Sequence, residues 1–195
     1  MMNVIAAKIV WVLGVAAWYI IRYPYQHRAA KVGVARSAGG AGDRVALTIS
    51  AIGQFLIPAV YVVTGQPAFA DYPQQPLLAW LGVAVLVVSL VLFRVTHRQL
   101  GRNWSVTLET RATHALVTDG LYGYVRHPMY SSFLLFAIAQ ALLLPNWVGG
   151  LSGLVGTAVL FFYRVDKEEA LMAETFGSAY RDYCSRTARI IPWVY

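Results

Sequence analysis

The sequence predicts an all-α, polytopic membrane protein with five transmembrane helices and a cytoplasmic C-terminal amphipathic helix. Three observations predict it. The 195 residues are 58% hydrophobic and only 13% charged, against about 25% charged in soluble domains. Five apolar runs reach or approach the roughly 20 residues that a spanning helix needs. The basic residues, finally, collect in the segments that such a topology places on one side of a bilayer.

Val4 to Ile21 is the first run. No basic stretch precedes it, and Arg22, Tyr23 and Pro24 follow where a signal peptide would carry a small-residue cleavage site, so it is expected to be a retained helix. Residues 33–44, GVARSAGGAGDR, read as a flexible Gly/Ala-rich loop. Val45 to Thr64 is the second run, and Pro58 predicts a kink near its end. Leu77 to Phe93 is the third and the most uniformly apolar. Tyr130 to Leu144 is the fourth, and it is short. Trp147 to Tyr163 is the fifth, separated from the fourth only by Pro145-Asn146, which predicts a tight antiparallel hairpin. Beyond it, Met172, Phe176, Tyr180 and Tyr183 recur at steps of four, four and three. That spacing marks one face of a helix, lying along the headgroups or back over the hairpin. No internal repeat is visible. The length suits one domain, residues 1–93 forming a three-helix membrane part and residues 94–195 carrying the chemistry.

The net charge is +7. In a soluble protein that would suggest nucleic acid, but here its placement reads as topology, and no nucleic-acid partner is expected. Of the 16 Lys and Arg, five lie in 22–44, five in 94–126 and five in 164–189, with Lys8 remaining. Five spans put those segments on one side, which the positive-inside rule makes cytoplasmic, with the N-terminus outside. Trp18, Tyr19, Tyr61, Trp147 and Tyr163 near span ends match interfacial aromatics. Cys184 is the single cysteine, so no intrachain disulfide is possible. The four histidines form no His-x-x-x-His pair, and no metal or haem site is expected. Nothing in the sequence marks an obligate protein partner.

The polar material flanks the last hairpin, so folding should bring 94–130 and 164–195 together. Within GLYGYVRHPMYSSFLLF, residues 120–136, Pro128 pushes His127 away from helix and itself favours the first helical position. A helix should therefore start at about Pro128, its free N–H groups beside Arg126 and His127, a natural place for a carboxylate or phosphate. Gly120 and Gly123 permit close backbone approach, while Tyr122, Tyr124 and Tyr130 offer rings and hydroxyls. A membrane-surface loop with a snorkelling arginine and interfacial tyrosines accounts for the same composition. Glu168 and Glu169 follow the fifth run directly; they either pair with Lys167 and Arg164 or face a ligand bearing hydroxyls or a positive charge.

These residues resemble the superfamily of isoprenylcysteine carboxyl methyltransferases and phospholipid methyltransferases. The resemblance runs from about Leu100 to the end. It rests on Leu100-Gly101-Arg102-Asn103-Trp104-Ser105, on His114-Ala115-Leu116-Val117-Thr118-Asp119-Gly120-Leu121-Tyr122, and on Val125-Arg126-His127-Pro128-Met129-Tyr130. Glu168-Glu169, Phe176-Gly177 with Tyr180 and Tyr183, and the Arg189-to-Pro192 end complete it. It implies a membrane methyltransferase using S-adenosylmethionine on a lipophilic acceptor, with membrane lipid around it. The implied cofactor residues are His114, Leu116, Val117, Gly120, Tyr124, Val125, Arg126, His127, Pro128, Tyr130, Glu168 and Glu169. Arg126 suits the methionine carboxylate, Glu168 and Glu169 the hydroxyls and amino group, and a slot near Leu116, Val117 and Tyr124 the adenine.

Two departures stand out. Ser132 replaces a glycine frequent in the family, and Gly120 and Gly123 are three apart where the phospholipid branch often shows Gly-x-Gly. A carboxylate acceptor needs no base, only a cation to orient it, for which Arg189 or Arg186 is expected; an amine acceptor needs a base. The surplus of arginines favours the carboxylate, with Arg126, Glu168 and Arg189 as the catalytic set. The competing readings are a phospholipid amine N-methyltransferase, a steroid-reductase-like membrane enzyme using NADPH, and a non-enzymatic transporter or assembly factor.

Overall fold

The computed structural model describes residues 2–29, 34–37, 39–107, 109–111 and 115–194. It is predominantly helical. Helix α1 spans Val4–Ala29, with Pro24 inside it. Helix α2 (Ala41–Ala51) continues through a π-helical turn (Ile52–Leu56) into α3 (Ile57–Thr64). Helix α4 covers Pro76–Leu100, α5 Pro128–Leu143, α6 Trp147–Phe176 and α7 Ser178–Cys184. One exception to the all-α expectation is a two-stranded antiparallel ribbon of β1 (Val34–Ser37) and β2 (Glu109–Arg111). The predicted 33–44 loop is thus partly ribbon, and its end is the first turn of α2.

Among the described residues, four helices are long and apolar enough to cross a membrane: Val4–Ala29, the continuous Ala41–Thr64, Pro76–Leu100 and Trp147–Phe176. Helix α5, with 16 residues, is shorter, and at 1.5 Å per residue it falls below the hydrocarbon thickness of about 30 Å. Helices α1, α4 and α6 run past the apolar stretches that announce them, because helical hydrogen bonding continues where hydrophobicity stops. The predicted C-terminal amphipathic helix is consequently two pieces. Residues up to Phe176 extend α6, and a left-handed Gly177 (φ 58°) breaks the chain before α7.

Pro58 acts through the π turn rather than by a simple kink. The Ile57 N–H bonds Ile52 O instead of Gly53 O, and Pro58, next in line to serve Gly53, has no N–H. The freed Gly53 carbonyl accepts from Ser152 Oγ at 2.7 Å and Gln140 Nε2 at 3.3 Å. Inside a bilayer every backbone polar group must find such a protein partner. The approach is close: a Cβ added to Gly53 would sit 2.3 Å from Ser152 O, and one on Gly156 3.0 Å from Ser50 Cα. Small residues at helix crossings permit this in membranes. Gln54 Nε2 donates to Thr157 Oγ1 at 2.6 Å and Ser89 Oγ to Ser132 O at 2.9 Å, fastening the same bundle.

The α5–α6 hairpin turns at Pro145-Asn146 as the spacing predicts. Asn146 Oδ1 accepts from the Val148 and Gly149 N–H groups, capping α6, and its Nδ2 donates to Pro67 O and Asp71 Oδ1. The apolar core (Trp11, Leu86, Phe136, Leu143 and neighbours) fills the space between α1, α3, α4 and α5. The exposed faces of α1 and α4 carry Ile5, Ile9, Leu13, Leu77, Val87 and Val91, as surfaces facing lipid do.

Candidate active site

Helix α5 starts at Pro128, as its sequence position predicts. The residues before it are fixed by a strap from the C-terminal segment. Arg126 N–H donates to Ala188 O, His127 N–H to Arg189 O, and Ala188 N–H to Tyr124 O, a short parallel bridge. Ser131 Oγ donates to Ile190 O at 2.6 Å, and Tyr183 Oη to Tyr122 O at 2.7 Å. Arg126 Nη1 donates to Cys184 O and Thr187 O, and its Nε to Glu169 Oε1 at 3.0 Å. Nη2 of Arg126 has no protein partner among the described residues.

Residues Glu168 and Glu169 lie one turn past Arg164 on α6. His127 sits between them, Nδ1 3.4 Å from Glu168 Oε2 and Nε2 3.2 Å from Glu169 Oε1. Only the imidazolium can donate from both nitrogens. Burial disfavours that charge, but the two carboxylates outweigh it, and the pKa of His127 is raised. Glu168 Oε1 also accepts from Tyr130 Oη at 2.8 Å and lies 3.5 Å from Arg164 Nε. Arg164 Nε is 3.1 Å from Asp43 Oδ1, an ion pair without the alignment of a hydrogen bond, and its Nη1 donates to Val106 O. Arg189 Nη2 bridges Asp166 Oδ1 at 3.0 Å and Glu169 Oε2 at 2.9 Å. Four carboxylates (Asp43, Asp166, Glu168, Glu169) thus meet four cations (Arg126, His127, Arg164, Arg189) in one network.

This network borders a cavity of about 210 Å³. Of the predicted cofactor residues, Leu116, Val117, Arg126, His127, Tyr130 and Glu168 line it. Gly120, Tyr124, Val125, Pro128 and Glu169 do not: they stand behind or beside it, and the Tyr124 ring is exposed, 6.3 Å from Trp193. His114 lies outside the described residues. Arg189 does not line the cavity either; its partners are acidic residues of α6. Met172, Tyr122, Tyr180 and Tyr183 complete the wall toward α7. Burial raises the pKa of Tyr122, Tyr180 and Tyr183, so these hydroxyls stay protonated.

Sequence reasoning took Arg164 only as a pairing partner and missed Asp43 and Arg22. Lys167, the other expected partner of the glutamates, instead lies over the Tyr163 ring at 3.6 Å. Asp43 stands in a segment read as loop, and Arg22 follows the first apolar run, so neither carried a local signal. Arg22, Leu47 and Phe133 also border a second cavity of about 90 Å³, lined further by Trp18, Ser50, Gln54, Phe55 and Leu160. The two hollows therefore share part of their lining: the larger carries the charged side chains at the helix ends, and the smaller lies between the helices.

Residues 80–174 match the model of the isoprenylcysteine carboxyl methyltransferase (ICMT) family. The protein-S-isoprenylcysteine O-methyltransferase of Schizosaccharomyces pombe is 36% identical over 98 residues, 49% of this chain and 42% of that protein. That of Dictyostelium discoideum is 28% identical over 120 residues, 60% of this chain and 51% of the relative. Methyltransferase B of Arabidopsis thaliana is 27% identical over 128 residues, 65% of each chain. The chain thus spans 42% to 65% of the length of these curated relatives. The solved structure of the eukaryotic intramembrane Ras methyltransferase ICMT superposes with a TM-score of 0.57 at 24% identity, over 80% of this chain and 55% of that one. This last likeness is one of fold.

Proposed function

Because the chain belongs to the superfamily of the isoprenylcysteine carboxyl methyltransferases, we propose that it moves a methyl group from S-adenosylmethionine to the carboxylate of a lipophilic, isoprenylcysteine-like acceptor. The observation that carries this reading is that two hollows are neighbours: Arg126 and Glu168 line one cavity, and Arg22, Leu47 and Phe133 border both it and a smaller, mainly apolar chamber between α1, α2 and α5–α6. A charged donor and a greasy acceptor need such a pair of neighbouring compartments.

The residues present suit the donor. Arg126 keeps an unpartnered Nη2 for the methionine carboxylate. Each oxygen of Glu168 retains acceptor capacity for hydroxyls or an ammonium. Leu116, Val117, Leu171 and Met172 offer an apolar slot for a base. When bound, S-adenosylmethionine supplies a methyl activated by a sulfonium. The chain itself orients, and excludes water from, the space where transfer occurs. A carboxylate acceptor requires no base, and the protonated tyrosines around the cavity offer none. Five spans, with the site and α7 on the cytoplasmic side and the N-terminus outside, agree with the distribution of Lys and Arg.

The test is calorimetry with S-adenosylhomocysteine on detergent-solubilised protein, NADPH serving as control, followed by transfer of labelled methyl into a lipid extract. Binding of S-adenosylhomocysteine and base-labile label in a lipid are expected. Stabilisation by NADPH alone, or base-stable label on an amine lipid, overturns the reading.

A further inference from the structure

Arg22 is the charge that the network leaves out. It leaves the membrane end of α1 between two indoles, its guanidinium 5.0 Å from the Trp18 ring and 5.0 Å from the Trp104 ring. It lines both cavities. No carboxylate or hydrogen-bond acceptor serves it among the described residues. The nearby Arg164 is already held by Asp43 and Glu168. A partly buried guanidinium with five donors and only ring faces for company is incomplete. Ring faces steady the cation but accept none of its in-plane hydrogen bonds. The missing partner is an anion, and Arg22 stands at the junction of the two hollows, bordering both.

Resting on the proposed carboxyl methyl transfer, we infer that Arg22 seats the acceptor's carboxylate at this junction, with the apolar chain running into the chamber of Trp18, Phe55, Phe133 and Leu160. Arg22 therefore takes the orienting role that the sequence suggested for Arg189. The placement suits a lipid whose anionic group lies at the end of an apolar chain, since the cation borders both hollows while the rest of the smaller one is mainly apolar. The planar guanidinium matches a carboxylate edge-on with two parallel hydrogen bonds. Methylation removes the charge that holds the acceptor, so the ester product is released more readily than the acid is.

The probes are N-acetyl-S-farnesylcysteine and its methyl ester, titrated calorimetrically into wild type, Arg22→Gln and Arg22→Lys, each saturated with S-adenosylhomocysteine. Wild type is expected to bind the acid at least about tenfold more tightly than the ester, one charge-assisted contact's worth. Arg22→Gln is expected to bring acid and ester within about twofold of each other, with unchanged affinity for S-adenosylhomocysteine. Arg22→Lys keeps the charge without the fork and should retain part of the preference. If Arg22→Gln does not fold, loss of the fork in Arg22→Lys still has to lower the ratio. An undiminished acid preference in either variant, or none in wild type, overturns the inference. A wild type that shows the Arg22-dependent preference but transfers no methyl sustains the anionic-lipid site and removes the proposed reaction instead.

Discussion

His127 is held by two carboxylates at once, and that fixes how its contribution varies with pH. Its folded-state pKa is raised. The stabilisation is therefore complete below the ordinary histidine value of about 6.5 and is lost as pH rises through the raised folded value. Thermal unfolding in detergent should show wild type more stable than His127→Gln at pH 6 by roughly 5 °C. The gap should close toward alkaline pH; a gap that widens instead would contradict the ion triad. Arg126 and Glu168 face the cavity directly. Arg126→Ala and Glu168→Ala should each weaken S-adenosylhomocysteine binding by about tenfold or more in calorimetry. Arg189→Ala, away from the cavity, should cost stability before it costs affinity.

At the scale of elements, the crossing of α2 and its π turn with α6 depends on absent side chains. Gly53→Ala places a methyl against the Ser152 backbone carbonyl, which no rotamer relieves. The expected result is a melting temperature lowered by several degrees, roughly the effect of 1–3 kcal/mol of overpacking. Asn146→Ala removes the α6 cap and the side-chain ties to Asp71 and the Pro67 carbonyl, leaving Pro67 O with the Ala70 N–H and Asp71 with Tyr61. It should lower stability by about 1 kcal/mol or more, visible in the same melts. The element boundaries show what a sequence can carry. Pro128 announced the start of α5, because proline restricts both itself and the residue before it. The end of α6 had no such mark: Arg164 to Phe176 is polar enough to read as a separate helix, yet nothing before Gly177 interrupts its hydrogen bonding. Pro58 was visible, but its effect, a freed carbonyl served by Gln140 and Ser152, depends on residues far along the chain.

For the molecule as a whole, the one-sided distribution of Lys and Arg predicts orientation. Cysteines introduced singly in a Cys184→Ser background should report it. Ser185→Cys should react with an impermeant thiol reagent only from the cytoplasmic side, and Gln75→Cys only from the other; the reverse pattern would invert the topology. The convergence of the segments around Arg126 and Glu168 was legible, since only a two-residue turn separates the helices they flank. Asp43 and Arg22 were not, because tertiary packing alone brings α1 and α2 to that place, and neither residue stands in a local pattern that distinguishes it from an ordinary surface charge.

The strap has a consequence for biosynthesis. Backbone carbonyls of Cys184 and Thr187 grip Arg126, and those of Ala188 and Arg189 fix the stretch ahead of α5. These are late residues, translated after every long helix. A nascent chain can thus have all its hydrophobic segments inserted while its polar hollow is still unassembled, and the ribosome must pass residue 190 before any nucleoside finds a formed seat.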